Sequence, residues 1–215
     1  LPGERLYQGS FAHVVLNAVF GDQETPPTHG NIAQRVEWVF DAMLPRDAAP
    51  LANPSRTLEA RRLRDQLVEA ATQLFDTLDR GGYTVSGLEV QTGGEYQGLA
   101  LNSRIDCLAR AEDGAEVVID FKLGGDTKHR GALQDGRATQ LATYAFSRKQ
   151  AGGQFPAVAY LILESGLFLT PKGSPMRGGA TPIEGPSIAE VWERFDEALT
   201  NASAWMGSGQ IPVRP

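Results

Sequence analysis

Cysteine is nearly absent: Cys107 is the one thiol in 215 residues. An internal disulfide is therefore excluded, the fold must rest on its core, and a reducing compartment, the cytoplasm, is the expected location. Long apolar runs are missing as well. No stretch approaches the roughly 18 residues that span a bilayer, so no membrane partner is expected, and no secretory leader is evident. Basic charge is in deficit, with 20 Lys and Arg against 26 Asp and Glu and a net charge of −6. That balance argues against nucleic-acid binding by the surface as a whole. It permits a local basic rim, or a site in which a metal ion supplies the positive charge. Internal repeats and low-complexity tracts are also lacking.

A chain 41% hydrophobic and 21% charged suits a single globular domain with a sizeable core, taken here as 1–215. Its first residue, Leu1, and its extended end, Ile211 to Pro215, read as those of a segment of a longer polypeptide. Helical spacing runs from about Leu6 to Phe20 and from Ile32 to Leu44, followed by a loop punctuated by Pro45, Pro50 and Pro54. Ser55 is the expected N-cap of a long helix, Leu58 to Leu78, ending at Gly81-Gly82. Strands are expected at Tyr83–Gln91, Glu95–Ala109 and Glu116–Lys122, then a mobile loop from Gly124 to Gly136 and a helix from Arg137 to Gln150. Ala157–Leu163 reads as a buried strand with Leu167–Leu169 as a partner, Pro171–Pro186 as a loop, and Ile188–Met206 as a closing helix. This order predicts an α/β fold, a mixed sheet flanked by helices. It divides into a helical part over about 1–80, a core over about 81–170 and a C-terminal helix over about 187–206.

Chemistry concentrates on one hairpin. Asp113-Gly114 is a strong turn signal between the second and third strands. A turn centred there pairs residues whose numbers sum to about 226, and Asp106 then faces Asp120. Opposed side chains have Cβ atoms roughly 4.5 to 5.5 Å apart. Carboxylates that close repel each other unless a positive group lies between them, and a divalent cation with oxygen ligands fits that gap. Asp120 follows Val117-Val118-Ile119, the pattern of a strand buried on both faces, where unpaired charge is costly. Lys122, two residues on, points the same way as Asp120. A metal and a fixed ammonium over one strand face point to phosphate-ester hydrolysis. Cys107, beside Asp106, reads as core packing on the opposite face.

The remaining polar groups are weaker signals. His29 and His129 read as solvated. Arg56, Arg61, Arg62 and Arg64, then Lys128, Arg130 and Arg137, then Arg148 and Lys149, form three basic clusters, each expected to be ordinary solvated surface. Gln140 and Tyr144, four apart, share a helix face.

Five motifs stand in order: Gly9-Ser10-Phe11-Ala12-His13 (GxxxH) on the first helix, Glu89 on the strand before the hairpin, Arg104-Ile105-Asp106, Asp120-Phe121-Lys122, and Gln140-Leu141-Ala142-Thr143-Tyr144 (QxxxY). Together they resemble the RecB-like nuclease domains of the PD-(D/E)XK superfamily, from about Gly9 to Tyr144, with a weaker echo at Gly209-Gln210-Ile211-Pro212. The resemblance implies a restriction-endonuclease-like fold with an N-terminal helical addition, and hydrolysis of DNA that leaves a 5′-phosphate. It implies that His13, Asp106, Asp120 and the carbonyl of Phe121 hold Mg²⁺ or Mn²⁺, and that Lys122 is the catalytic cation. Glu89 is an acidic residue of the catalytic set with the least defined role. Gln140, Tyr144 and Arg104 would position the DNA, single- or double-stranded and engaged at its ends. A setting in repair or recombination, with a helicase domain or subunit among the partners, is implied too.

The chain departs from the family pattern at Ser103, where glycine is usual, at Phe121 and Leu123 in the D-x-K segment, and at Asn17, where a glutamate often follows the histidine. The cysteine cluster that binds iron–sulfur in some relatives is absent. A non-catalytic nuclease-fold module for DNA binding or docking is the alternative. A small-molecule phosphoesterase is a poorer one, since Gly124-Gly125 lacks the strand–loop–helix context of a phosphate-binding loop.

Overall fold

The computed structural model describes residues 2–22 and 24–209. Three helices come first, α1 (Pro2–Phe20), α2 (Ile32–Asp47) and α3 (Thr57–Gly81), then strands β1 (Tyr83–Tyr96), β2 (Leu99–Ala111) and β3 (Glu116–Lys122). Helices α4 (Asp126–Gln134) and α5 (Thr139–Gly152) lead to β4 (Ala157–Ile162), β5 (Leu167–Pro171), β6 (Thr181–Ile183) and α6 (Ile188–Gly207). The six strands form one mixed sheet in sequential order, antiparallel except for the β3–β4 and β5–β6 pairs. This is the α/β arrangement expected, a restriction-endonuclease-like sheet flanked by helices. Among the described residues no helix is long and apolar enough to cross a membrane.

Each sheet face buries its own core, because alternate side chains along a strand point to opposite sides. Val117, Ile119 and Phe121 pack with Ala159 and Leu161 beneath α1 to α3, where Phe11, Leu16, Phe40 and Leu74 meet them. Val118, Val158, Tyr160 and Ile162 face Leu141, Ala145 and Trp192 of α5 and α6. Strand β3 is buried along its interior, as its β-branched run requires. The crossover through α4 and α5 makes β4 parallel to β3 and carries α5 across the end of β3.

Local chemistry moved several boundaries. The first hairpin turns at Gln97-Gly98, both with positive φ (50° and 77°), so β1 runs on through Tyr96 and β2 starts at Leu99. Gly98 supplies the conformation that a two-residue turn needs, and Gly93-Gly94, which looked like a break, is paired strand. Pro45 lies in the last turn of α2 rather than in a loop, and the helix ends two residues beyond it at Asp47. Ser55 is not the N-cap of α3. Asn53 caps a short 3₁₀ turn, Pro54–Arg56, by accepting from the Ser55 N–H. The segment expected to be a mobile loop contains α4, which packs against β5 and β6 with Leu133 buried in the core. The Pro171–Pro186 loop contains β6, a three-residue edge strand that accommodates Pro182. The Ile211–Pro215 end and most of the Gly-Gln-Ile-Pro echo lie outside the described residues.

Candidate metal centre

The second hairpin has the expected register: Cys107 pairs with Ile119 and Leu108 with Val118, and Gly114 at φ 85° closes the turn. Pairing stops one step before Asp106 and Asp120. There the alternation along β2 breaks, with Cys107 in the core under α1 to α3 and Ile105 in the opposite one. The Asp106 carboxylate turns toward β3, and its Oδ2 accepts from the Phe121 N–H at 2.7 Å. The two carboxyls thus meet where the β2–β3 ladder ends, with an Asp106 oxygen in place of a backbone acceptor, and not as an ordinary cross-strand pair. On the other side of β2, Glu89 holds φ at 50°, a left-handed conformation unusual for a non-glycine residue, and has no partner in the β1–β2 register.

Helix α1 completes the site. Phe11 and Val15 anchor it in the core, and the half-buried His13 between them sets its ring edge-on to Phe121, with centroids 5.6 Å apart. His13 Nδ1 lies 3.5 Å from Asp106 Oδ1 and 3.6 Å from Glu89 Oε1, while Nε2 lies 3.3 Å from the Phe121 carbonyl oxygen. Among the described residues, His13, Glu89 and Asp106 bring ligand atoms within 4.8 Å of one another.

Asp120 stands beside this group and is fully buried. Lys122 Nζ pairs with Asp120 Oδ2 at 2.6 Å, while the buried Asp120 Oδ1 has no hydrogen-bond partner. Glu89 Oε2 pairs with Arg104 Nε at 2.6 Å. Buried carboxylates crowded against one another are costly unless positive charge lies among them. Burial pushes the carboxyls of Asp106 and Asp120 well above the ordinary range. The Phe121 N–H pulls Asp106 back and Lys122 pulls Asp120 back, while Glu89 opposes ionisation of Asp106 and Asp106 opposes that of Asp120. A hard divalent cation relieves both conditions, and an oxygen-rich set with one imidazole suits Mg²⁺ or Mn²⁺. The residues present therefore fit such an ion.

Beyond the carboxylates runs a relay. Lys122 Nζ donates to Gln140 Oε1 at 2.9 Å, and Gln140 Nε2 donates to the Tyr144 hydroxyl at 2.7 Å. Burial pushes the Tyr144 hydroxyl up to about 12, so it remains protonated. All of these residues line one open cleft of about 1120 Å³. Its remaining wall comes from α1, where Leu6, Ser10 and Val14 are exposed, and from Asn102, Ser103 and Thr143. Of these, Ser10 and Thr143 fill variable positions of the GxxxH and QxxxY motifs and Ser103 precedes Arg104, whereas Leu6, Val14 and Asn102 belong to no motif.

Every residue expected in the site, His13, Glu89, Arg104, Asp106, Asp120, Phe121, Lys122, Gln140 and Tyr144, lines this cleft. Cys107 is fully buried and its thiol is pushed up to about 12, which makes it inert packing. His129 differs from expectation. It is half-buried, with its ring 4.9 Å from that of Tyr160. Arg148 is no open rim cation either, since it is tied to Glu116 through two hydrogen bonds. Arg137 pairs with Asp135 and Arg64 with Asp41.

A family model of the PD-(D/E)XK nuclease superfamily matches residues 2–215, nearly the whole chain. No match is found among the curated proteins.

Proposed function

This chain belongs to the PD-(D/E)XK nuclease superfamily, and on that premise we propose that it is a divalent-metal-dependent deoxyribonuclease of the RecB-like kind, residues 1–215 acting as one nuclease domain. The observation that carries the proposal is the convergence of the Asp106, Asp120 and Glu89 carboxylates with His13 and Lys122 in one cleft, where Asp120 Oδ1 is buried without a hydrogen-bond partner.

In this reading Asp106, Asp120 and the Phe121 carbonyl hold Mg²⁺ or Mn²⁺ together with His13. Glu89, placed by its left-handed backbone against His13, is assigned to the ligand set rather than to proton transfer. The ion would acidify a bound water and polarise the scissile phosphate. Lys122 orients the attacking oxygen and offsets charge that builds on the phosphoryl group. Gln140, held in turn by the Tyr144 hydroxyl, accepts from that ammonium, and exposed Arg104, swinging from Glu89, engages a phosphate. The non-catalytic alternative expects one or more of these charged groups to be lost, and all are present. A place in DNA repair or recombination, beside a helicase domain or subunit, rests on the motif resemblance alone.

The experiment is incubation with linear and circular, single- and double-stranded DNA in Mn²⁺ or Mg²⁺, with EDTA as control. Cleavage that EDTA stops and Mn²⁺ restores is the expected result. Absence of cleavage together with absence of divalent-ion binding by calorimetry removes the proposal.

A further inference from the structure

Lys122 is held at three points. Its Nζ lies 2.6 Å from Asp120 Oδ2, donates to Gln140 Oε1 at 2.9 Å, and stands over the Tyr160 ring, 5.9 Å from the centroid. The first of these is the one a bound cation weakens, because an ammonium and a divalent ion compete for the same carboxylate lone pairs. The Gln140 amide remains, on a long side chain at the mouth of the cleft. So does the aromatic face.

Tyr160 is built into the sheet. It is directly in register with Asp120 across the parallel β3–β4 pair, so both side chains rise on the same face. Its ring is only 4% exposed, which fixes its plane. His129 of α4 packs against it at 4.9 Å between centroids. Burial and the nearby Lys122 both lower the His129 pKa, so at neutral pH an uncharged imidazole braces the ring. No motif marks either residue.

We propose that Tyr160 is a positioning residue for Lys122, its ring face keeping the ammonium at the reaction centre when Asp120 gives its oxygens to a divalent cation. This rests on the hydrolytic reading above. The face of an aromatic ring attracts a cation within about 6 Å, and an aliphatic side chain of similar size fills the space without that attraction.

The full-length chain is compared with Tyr160→Leu and Tyr160→Phe on a defined oligonucleotide in Mn²⁺. Tyr160→Leu is expected to lower kcat about five- to tenfold with KM and the Mn²⁺ Kd within about twofold of wild type, and Tyr160→Phe to restore kcat. Crystals of the Mn²⁺-loaded variants are expected to show Lys122 Nζ over the Phe ring in one and displaced in the other. An unchanged kcat in Tyr160→Leu overturns the proposal. So does a loss in Tyr160→Phe equal to that in Tyr160→Leu, or a loss confined to KM or Mn²⁺ affinity. If Tyr160→Leu does not fold, Tyr160→Met carries the same comparison. Wild-type protein that binds Mn²⁺ and cleaves no DNA overturns the hydrolytic reading instead, and the position of Lys122 in the two crystal structures then decides the role of Tyr160.

Discussion

The backbone N–H of Phe121 donates to Asp106 Oδ2 at 2.7 Å, so a side chain of β2 stands where the ladder to β3 would otherwise continue past Cys107 and Ile119. Asp106 therefore has a structural duty as well as a chemical one. Asp106→Asn keeps an acceptor for that amide and Asp106→Ala removes it. The alanine variant is expected to be less stable than the asparagine variant by about 1–3 kcal/mol, the cost of an orphaned buried donor. Both are expected to lose divalent-ion binding. Urea denaturation and Mn²⁺ calorimetry on the two variants separate the duties, and equal stabilities would show that the amide does not depend on Asp106.

Asp120 and Lys122 divide differently. Asp120→Ala and Lys122→Ala are both expected to abolish cleavage while leaving folding and much of the DNA affinity intact. Turnover in Lys122→Ala should fall by about 10²–10³-fold, the usual loss when one transition-state charge partner is removed. Their Mn²⁺ titrations should diverge. Asp120→Ala weakens binding, whereas Lys122→Ala binds as tightly as wild type or tighter, because the ammonium 2.6 Å from Asp120 Oδ2 no longer competes. Near wild-type hydrolysis by Asp120→Ala would remove the mechanism.

How much of this was readable from the residues alone depends on how local the cause is. The Asp113-Gly114 turn fixed the register that sets Asp106 near Asp120, and the β-branched run before Asp120 announced its burial. His13, Lys122, Gln140 and Tyr144 were legible because motif spacing places them on known faces of helices and strands. The end of the ladder at Asp106 was not, since it depends on a side chain replacing a backbone acceptor. Tyr160 and His129 come to Lys122 only through the β3–β4 crossover, which no local pattern encodes. Helix α4 was hidden by its charges and the glycines around it, because its one buried side chain, Leu133, joins a core that β5 and β6 complete from distant sequence.

Acid should stabilise the metal-free protein at this site. Burial pushes the carboxyls of Asp106 and Asp120 up to about 6, above the ordinary unfolded value. A folded-state pKa that is raised gives stability fully present below the unfolded pKa and lost as pH rises through the folded one. Metal-free wild type is therefore expected to lose on the order of 1–3 kcal/mol from this pair between about pH 4 and pH 7. Asp120→Asn, which lacks the buried charge, should be more stable than wild type at neutral pH, with the gap closing toward about pH 4. Mn²⁺ affinity runs the other way and weakens as the carboxylates protonate. Denaturation in EDTA at both pH values checks the sign, and a wild type steadier at neutral pH than in acid would contradict it.

Glu89 offers the sharpest separation of function from stability. Its φ of 50° costs an ordinary residue about 1–2 kcal/mol, and glycine adopts it freely. Its carboxylate also lies in a cleft that already holds Asp106 and Asp120. Glu89→Gly removes the strain and one of the crowded charges, and it releases Arg104 from its partner at 2.6 Å. The metal-free variant is thus expected to be more stable than wild type by about 1 kcal/mol, the gain from strain partly offset by glycine's entropy in the unfolded chain. Mn²⁺ affinity should fall by about tenfold or more, and cleavage with it. Glu89→Gln, which retains the side chain's length without its charge, should lose metal affinity while keeping the strain. A residue whose removal strengthens the fold and weakens the ion is held in place by its chemistry. If Glu89→Gly lowered stability and left Mn²⁺ binding untouched, the left-handed turn at Glu89 would be a feature of strand packing instead.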